Sequence, residues 1–404
     1  MAPGLVSPQR SFERESAPSV PAQLDASKLR ITKTLHPSKV PPAEDLTFGS
    51  HTTGKYCFRH HILQVRWTAD NGWQSPQIAP YEKLALDPAA AVLHYGFECF
   101  EGMKAYRDAR GNVGLFRPEI NLDRLNKSAA RIALPTFDPK ELLKLIARFV
   151  KLEERFIYGK PGYSLYLRPV IIATNANLGV AAPTAALLYC IACPVGPYFS
   201  AGFKAINLEA TSSSVATRAW PGGAGNQKIG GNYAPCIAPE KAAKARGFQQ
   251  LLWLFGDDDY ITEAGTMNLF IVLRTETDEE EEGFELVTPP LDGMILPGVT
   301  RDCVLSLARE RLVPAGWIVK ERPICMSELA TAADAGRLVE VFGTGTAAVV
   351  SPIRAIKWED RLVQCGLSRH QNAGTITALM KEWIEARQYA LEEHPWSVPV
   401  GQII

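Results

Sequence analysis

No single hydrophobic core grows large enough to organise 404 residues, so two domains are expected. Apolar residues make up 46% of the chain and charged residues 21%, a balance that fills cores and does not suit a disordered polymer. The 43 basic residues cancel the 43 acidic ones. With no net field to draw in nucleic acid or an anionic membrane surface, the expected partner is a small molecule. No apolar run reaches the roughly 18 residues of a membrane span; the longest is the interrupted stretch from Ala185 to Phe199. The cysteines number 8, with no secretory h-region ahead of them, which predicts reduced thiols and no disulfides.

Residues 1–45 are rich in proline, serine and charge without apolar periodicity, and read as a mobile arm. Arg10 and Arg14 are offset by Glu13 and Glu15, unlike an acid-poor mitochondrial transit peptide. A cytoplasmic protein is expected, with the mitochondrion left open. Residues 46–199 read as a small α+β domain and 200–404 as a large one, divided where Gly196, Pro197 and Gly202 break the pattern. Alternation from Ile62 to Trp67, followed by Asn71-Gly72, predicts a strand entering a hairpin. Asp138, Pro139 and Glu141 have the spacing of a helix start with a capping box, ahead of a buried face at Leu142, Leu145, Ile146, Phe149 and Val150. The apolar runs from Ser164 to Ala173 and from Ala186 to Val195 predict adjacent central strands.

In the second half, strand patterns beginning at Gln249, Leu269, Phe284, Trp317 and Leu338 alternate with helical ones near Ala238 to Arg246, Val299 to Glu310 and Gly374 to Glu392. That mixture gives the fold class α+β. The acidic run from Glu276 to Glu282 reads as a solvated hairpin loop and not a metal site, because like charges in sequence repel and stay exposed.

The most unusual stretch is Gly222-Gly223-Ala224-Gly225-Asn226-Gln227-Lys228-Ile229-Gly230-Gly231-Asn232-Tyr233. Glycines crowding one lysine let backbone approach a bulky planar ligand and hem in the ammonium, which lowers its pKa and frees the amine for a Schiff base. Taken alone, the same stretch also describes a flexible loop with a surface lysine. Further along, Glu263 lies in Ile261-Thr262-Glu263-Ala264-Gly265-Thr266-Met267-Asn268. A carboxylate there could keep a pyridine nitrogen protonated, as an electron-sink cofactor such as pyridoxal phosphate requires. Leu296-Pro297-Gly298-Val299-Thr300-Arg301 opens a helix and offers free amides to a phosphate, and Gly343-Thr344-Gly345-Thr346-Ala347 offers a second set in a turn.

Together with Leu93-His94-Tyr95, Phe100-Glu101-Gly102-Met103-Lys104, Tyr166-Leu167-Arg168-Pro169 and Cys193-Pro194-Val195-Gly196, these segments resemble the branched-chain amino acid aminotransferases. Those are pyridoxal 5'-phosphate enzymes of the two-domain D-amino-acid-aminotransferase-like fold (fold type IV), and the resemblance runs from about Phe48 to the C-terminal His394-Pro395-Trp396. It implies reversible amino transfer between Leu, Ile or Val and 2-oxoglutarate, by a ping-pong route, in a homodimer. Lys228 would link to the cofactor and shuttle the proton, Glu263 would hold the ring nitrogen and Tyr233 the phenolic oxygen. Arg124, Val299, Thr300 and Thr346 would bind the phosphate, with Leu296 packed on the ring. The substrate carboxylate would meet Tyr95 and the turn at Thr346 and Ala347, with Thr266 also lining the site. Phe48, Phe100, Tyr166 and Tyr198 would wall the side-chain pocket, Leu178 and Val180 would come from the neighbouring subunit, and Arg168 would receive the γ-carboxylate of glutamate.

One departure stands out. Animal members carry a redox-sensing Cys-x-x-Cys after the Gly-Thr turn, where this chain has Ala348-Val349-Val350-Ser351, so that device is absent at that position. Cys190 and Cys193 read as two packed thiols, since strand neighbours three apart point to opposite faces. Within the fold, a D-amino-acid aminotransferase or an aminodeoxychorismate lyase is the alternative; outside it, a pyridoxal-phosphate-binding protein without turnover.

Overall fold

The computed structural model describes residues 21–37, 39–47, 60–197, 203–275 and 283–404. Phe48, Tyr198 and the acidic run from Glu276 to Glu282 lie outside the described residues.

Two mixed sheets carry the chain. The first runs, in spatial order, Arg30–Ile31, Gln77–Pro80, His61–Thr68, Ala185–Val195, Ser164–Ala173, Met103–Arg107, Val113–Phe116 and Ser397–Pro399. Its two long central strands pair antiparallel from Ser164↔Val195 to Ala173↔Ala186. Most of their residues are buried on both faces, which is why both read as near-continuous apolar runs. The second sheet runs Tyr260–Ala264, Gln250–Phe255, Ile206–Thr211, Val349–Trp358, Leu338–Gly345, Met267–Thr275, Gly283–Thr288 and Ile318–Glu321. Tyr260–Ala264 also pairs with Met267–Thr275, so the strands between them close into a ring and leave no open edge there.

The helix expected after Asp138 spans Pro139–Glu153, and the Asp138 side chain accepts from the Lys140 amide at 2.8 Å. The capping box does not form. Glu141 turns outward, its Oε2 accepting from the Ala26 amide at 2.7 Å and its Oε1 from Lys144 Nζ at 2.6 Å. Ala26 opens the 3-10 turn Ala26–Lys28, and the first amides of a helical turn have no acceptor of their own.

Both ends of the chain depart from the expected division. The described part of the expected arm is tied to the first sheet at several points: Ala22 bridges Gly72, Arg30–Ile31 pairs in parallel with Gln77–Pro80, and Leu24 and Leu46 are buried. Hydrogen bonding to a sheet edge and two apolar anchors need no periodicity, so the sequence carries no sign of it. At the other end Ser397–Pro399 crosses back to pair with Val113–Phe116, and Val400 enters the core of the first sheet. Trp396 fixes that crossing, edge-on to Phe116 and under the Arg387 guanidinium, which lies 4.5 Å from the ring centre.

The cysteines need a correction too. Cys190 is a free, buried thiol in the core of the first sheet. Cys193 is disulfide-bonded on the opposite face, beside Val195, Tyr166 and Ala347. Composition reports a redox compartment on average, whereas pairing depends on which thiols the fold brings together. No helix among the described residues is long and apolar enough to cross a membrane.

Candidate active site

A cavity of about 760 Å³ opens between the two sheets. The strands Glu98–Phe100 and Ser164–Ala173 supply Phe100, Tyr166 and Arg168 to it, and the helix Pro118–Arg131 supplies Arg124. From the second sheet and its turns come Glu263, Thr266, Thr344, Thr346 and Ala347, and from the start of the helix Val299–Leu307 and the segment just before it come Leu296, Val299 and Thr300. Lys228 and Tyr233 also line it.

The first sheet holds the lysine segment in place. The Lys228 amide donates to Ser128 Oγ at 2.8 Å, its carbonyl accepts from the Phe100 amide at 3.0 Å, and Ile229 bridges Cys99. Lys228 Nζ donates to Tyr233 Oη at 3.1 Å and sits 4.9 Å from the centre of the Phe100 ring. Burial, reinforced by the Arg124 guanidinium, pushes its pKa down to about 8, so an uncharged amine is accessible near neutral pH. Burial pushes Tyr233 up to about 12, which keeps it a phenol.

Two of the glycines around Lys228 lie tight against protein. A Cβ on Gly225 would collide with the Met294 carbonyl and the Ala219 methyl, and one on Gly230 with the Glu98 carboxylate. At these two positions the lack of a side chain lets the segment fold tightly against protein. The close approach at the cavity wall is at Gly102, where a Cβ would strike Tyr166 Oη.

Glu263 is buried on the strand Tyr260–Ala264. Its Oε1 accepts from Asn268 Nδ2 and from the Leu296 amide, each at 3.2 Å, and its Oε2 pairs with Arg218 Nη1. Burial raises its pKa, opposed first by Arg218. Arg124 is oriented from behind by Glu101, which accepts from Nε at 2.6 Å and from Nη2 at 2.9 Å, while Nη1 donates to the Pro297 carbonyl at 2.9 Å. A guanidinium has about five N–H groups, so others remain for a ligand. Burial alone would raise Glu101, but Arg124 and the Asn121 side chain carry it below the usual carboxylate range.

Arg168 Nη2 donates to Tyr166 Oη at 2.8 Å, and the guanidinium lies over the Phe100 ring at 4.8 Å. Its Nε is buried without a hydrogen-bond partner among the described residues. The turn after Leu338–Gly345 is tethered to the first sheet by Lys104 Nζ, which donates to the Ala347 carbonyl at 3.1 Å.

Tyr95 does not reach this cavity. It is exposed and donates to the Leu178 carbonyl, close in the chain to the exposed Val180. Phe48 and Tyr198 lie outside the described residues. Sequence reasoning missed Arg218, Glu101 as the anchor of Arg124, Ser128 and Lys104. Glu101 and Lys104 stood inside a quoted motif, but Arg218 and Ser128 carry no local signal because their partners are distant in the chain.

The amino-transferase class IV family model matches residues 98–356, a span containing every cavity residue named above. The chain is 50% identical over 377 residues to the cytosolic branched-chain-amino-acid aminotransferase of Saccharomyces cerevisiae, covering 93% of this chain and 97% of that one. It is 49% identical to the mitochondrial enzyme of the same yeast, covering 95% of each. Its fold is similar to that of the branched-chain aminotransferase from the thermophilic archaeon Thermoproteus uzoniensis, solved with norvaline, with a TM-score of 0.62, 26% identity, and 84% of this chain and 99% of that one covered. A depressed lysine beside a phenol and a buried carboxylate, in a fold-type-IV frame, thus meets near-full-length identity: the chain belongs to the branched-chain-amino-acid aminotransferases of the class IV aminotransferase family.

Proposed function

We propose that the protein transfers the amino group reversibly between leucine, isoleucine or valine and 2-oxoglutarate, with pyridoxal 5'-phosphate held in the cavity between the sheets. The observation that carries this reading is Lys228 Nζ, half-buried in the cavity wall, lowered to about 8 and 3.1 Å from Tyr233 Oη, in a cavity that also holds Glu263 and Arg124. The donor set suits that cofactor. The helix Val299–Leu307 begins without a side-chain cap, which leaves amides and the positive dipole end for a phosphate. Thr344 Oγ1, in the same wall, is buried without a hydrogen-bond partner among the described residues.

Arg124, the amides of Val299 and Thr300 and the Thr346 hydroxyl bind the phosphate in this reading. Tyr233 holds the ring oxygen, Glu263 the ring nitrogen, and Leu296 covers one ring face. When bound, the cofactor supplies the electron sink that stabilises a carbanion at the substrate Cα. Lys228 Nζ is the amine that anchors the cofactor and then takes the proton from that Cα and returns it. Phe100 and Tyr166 line an apolar slot that excludes water. Thr266 lines the site, and the Thr346–Ala347 amides orient the substrate carboxylate.

Arg168, whose Nε has no hydrogen-bond partner among the described residues, receives the distal carboxylate of glutamate. Burying that charge unpaired would otherwise be very costly. The exposed patch of Tyr95, Leu178 and Val180 fits a homodimer in which each subunit completes the other's pocket, so Tyr95 is now assigned to the partner's cavity and not to its own. The two sheets with their helices are the two proposed domains, and a cytoplasmic location is proposed, to be checked by cell fractionation.

The test is an amino-donor screen on purified protein with 2-oxoglutarate. Leucine, isoleucine and valine turn over and D-alanine and aminodeoxychorismate do not. Activity confined to either of those two, or stoichiometric pyridoxal phosphate binding without transamination, overturns the reading.

A further inference from the structure

One buried cation beside Glu263 has no part in the reading above. Arg218 stands in the stretch between the strand Ile206–Thr211 and the Lys228 segment; its side chain is 4% exposed and its Nη1 pairs with Glu263 Oε2. The other carboxylate oxygen is already engaged by Asn268 Nδ2 and the Leu296 amide. A carboxyl this deep in protein favours its neutral form, and among the groups that oppose burial Arg218 comes first, ahead of the Leu296 amide, Lys228 and Arg124. Arginine suits the task because it does not lose its own proton when buried. Its neighbour Ala219 packs on Gly225, so the stretch that seats the lysine segment also delivers the guanidinium to Glu263.

We propose that Arg218 is a positioning residue for amino transfer: its guanidinium holds Glu263 as a fixed carboxylate, and thereby as the anionic partner of the cofactor's ring nitrogen. This rests on the function proposed above. Because Arg218 acts through Glu263, its removal matters only while Glu263 is there to be ionised.

The experiment compares wild type, Arg218→Met, Glu263→Gln and the double variant. It reads the pyridoxal phosphate dissociation constant, the pH dependence of the bound-cofactor absorbance and the single-turnover rate with leucine. Arg218→Met slows the single turnover by roughly tenfold or more, as expected for loss of one close countercharge. It also shifts the absorbance profile in the same direction as Glu263→Gln. Adding it to Glu263→Gln changes nothing further. Arg218→Met indistinguishable from wild type, or a further loss of about tenfold on top of Glu263→Gln, overturns the role. If Arg218→Met alone fails to fold, the double variant decides by the same criterion, since it leaves no buried charge unpaired. A wild type that binds no pyridoxal phosphate overturns the proposed function and this role with it; a transaminating wild type leaves only Arg218 at stake.

Discussion

Lys104 is buried and Lys228 half-buried in the cavity wall, and loss of water around each amine pushes it down to about 8. Lys104 lies inside the strand Met103–Arg107 and donates to the Ala347 carbonyl. Lys228 lies in an irregular segment, donates to the Tyr233 hydroxyl and lines the cavity. The second influence on each differs as well: the Glu385 carboxylate favours the charged form of Lys104, whereas the Arg124 guanidinium disfavours that of Lys228. A depressed pKa therefore makes an amine available, and what its nitrogen faces decides whether it does chemistry.

The largest effect that separates the two is Lys228→Ala. It is expected to remove at least the roughly 10²- to 10⁴-fold that a positioned acid–base group contributes, while pyridoxal phosphate still binds through contacts made by other residues. Steady-state transamination and cofactor titration check both halves, and near-normal turnover in the variant would break the comparison.

Next in size is Arg168→Met. The half-reaction with glutamate should lose about 2 to 5 kcal/mol, the range for removing one partner of a desolvated charge pair, and the half-reaction with leucine far less. Stopped-flow measurement of each half-reaction checks it, and equal losses would make Arg168 structural.

Glu263→Gln should slow proton transfer by roughly 10- to 100-fold, about 1.4 kcal/mol per factor of ten, with cofactor still bound. Single-turnover kinetics read it directly; an unchanged proton-transfer step would remove Glu263 as the nitrogen partner.

The smallest change is expected from Lys104→Met. It leaves the Ala347 carbonyl without that donor, so KM should rise by less than about tenfold at near-constant kcat, within the range for one hydrogen bond. A loss as deep as that of Lys228→Ala would erase the distinction. A pH series sharpens it: pyridoxal phosphate uptake by apo-protein should slow as pH falls through about 8, where Lys228 gains its proton, and this profile should persist in Lys104→Met.

The long apolar strands, the helix behind Asp138 and the alternation of the second half were legible because each is a local pattern, and their observed bounds agree to within a few residues. The Lys228 and Glu263 segments were legible as unusual local chemistry. Other features were not. Glu141 had the capping-box spacing and went to Ala26 instead. The C-terminal strand gave no sign that it returns to the first sheet, and Tyr95, quoted as part of a motif, faces Leu178 and not the cavity of its own chain.

What the sequence determined by itself is the inventory: which segments bury which face, where a helix begins, and which residues have the chemistry of an amine, an acid or a phosphate cradle. Tertiary structure alone decided which of these meet. Ser128 and Lys228 stand 100 positions apart in the chain, and Lys104 and Ala347 stand 243 apart. The closeness of Arg218 to Glu263, like the depressed pKa of two lysines, depends on water being excluded by residues distant in sequence. Periodicity and propensity act over a few neighbours, whereas burial and electrostatics act through space, so the reacting groups could be named from the chain but only the fold could assemble and charge them.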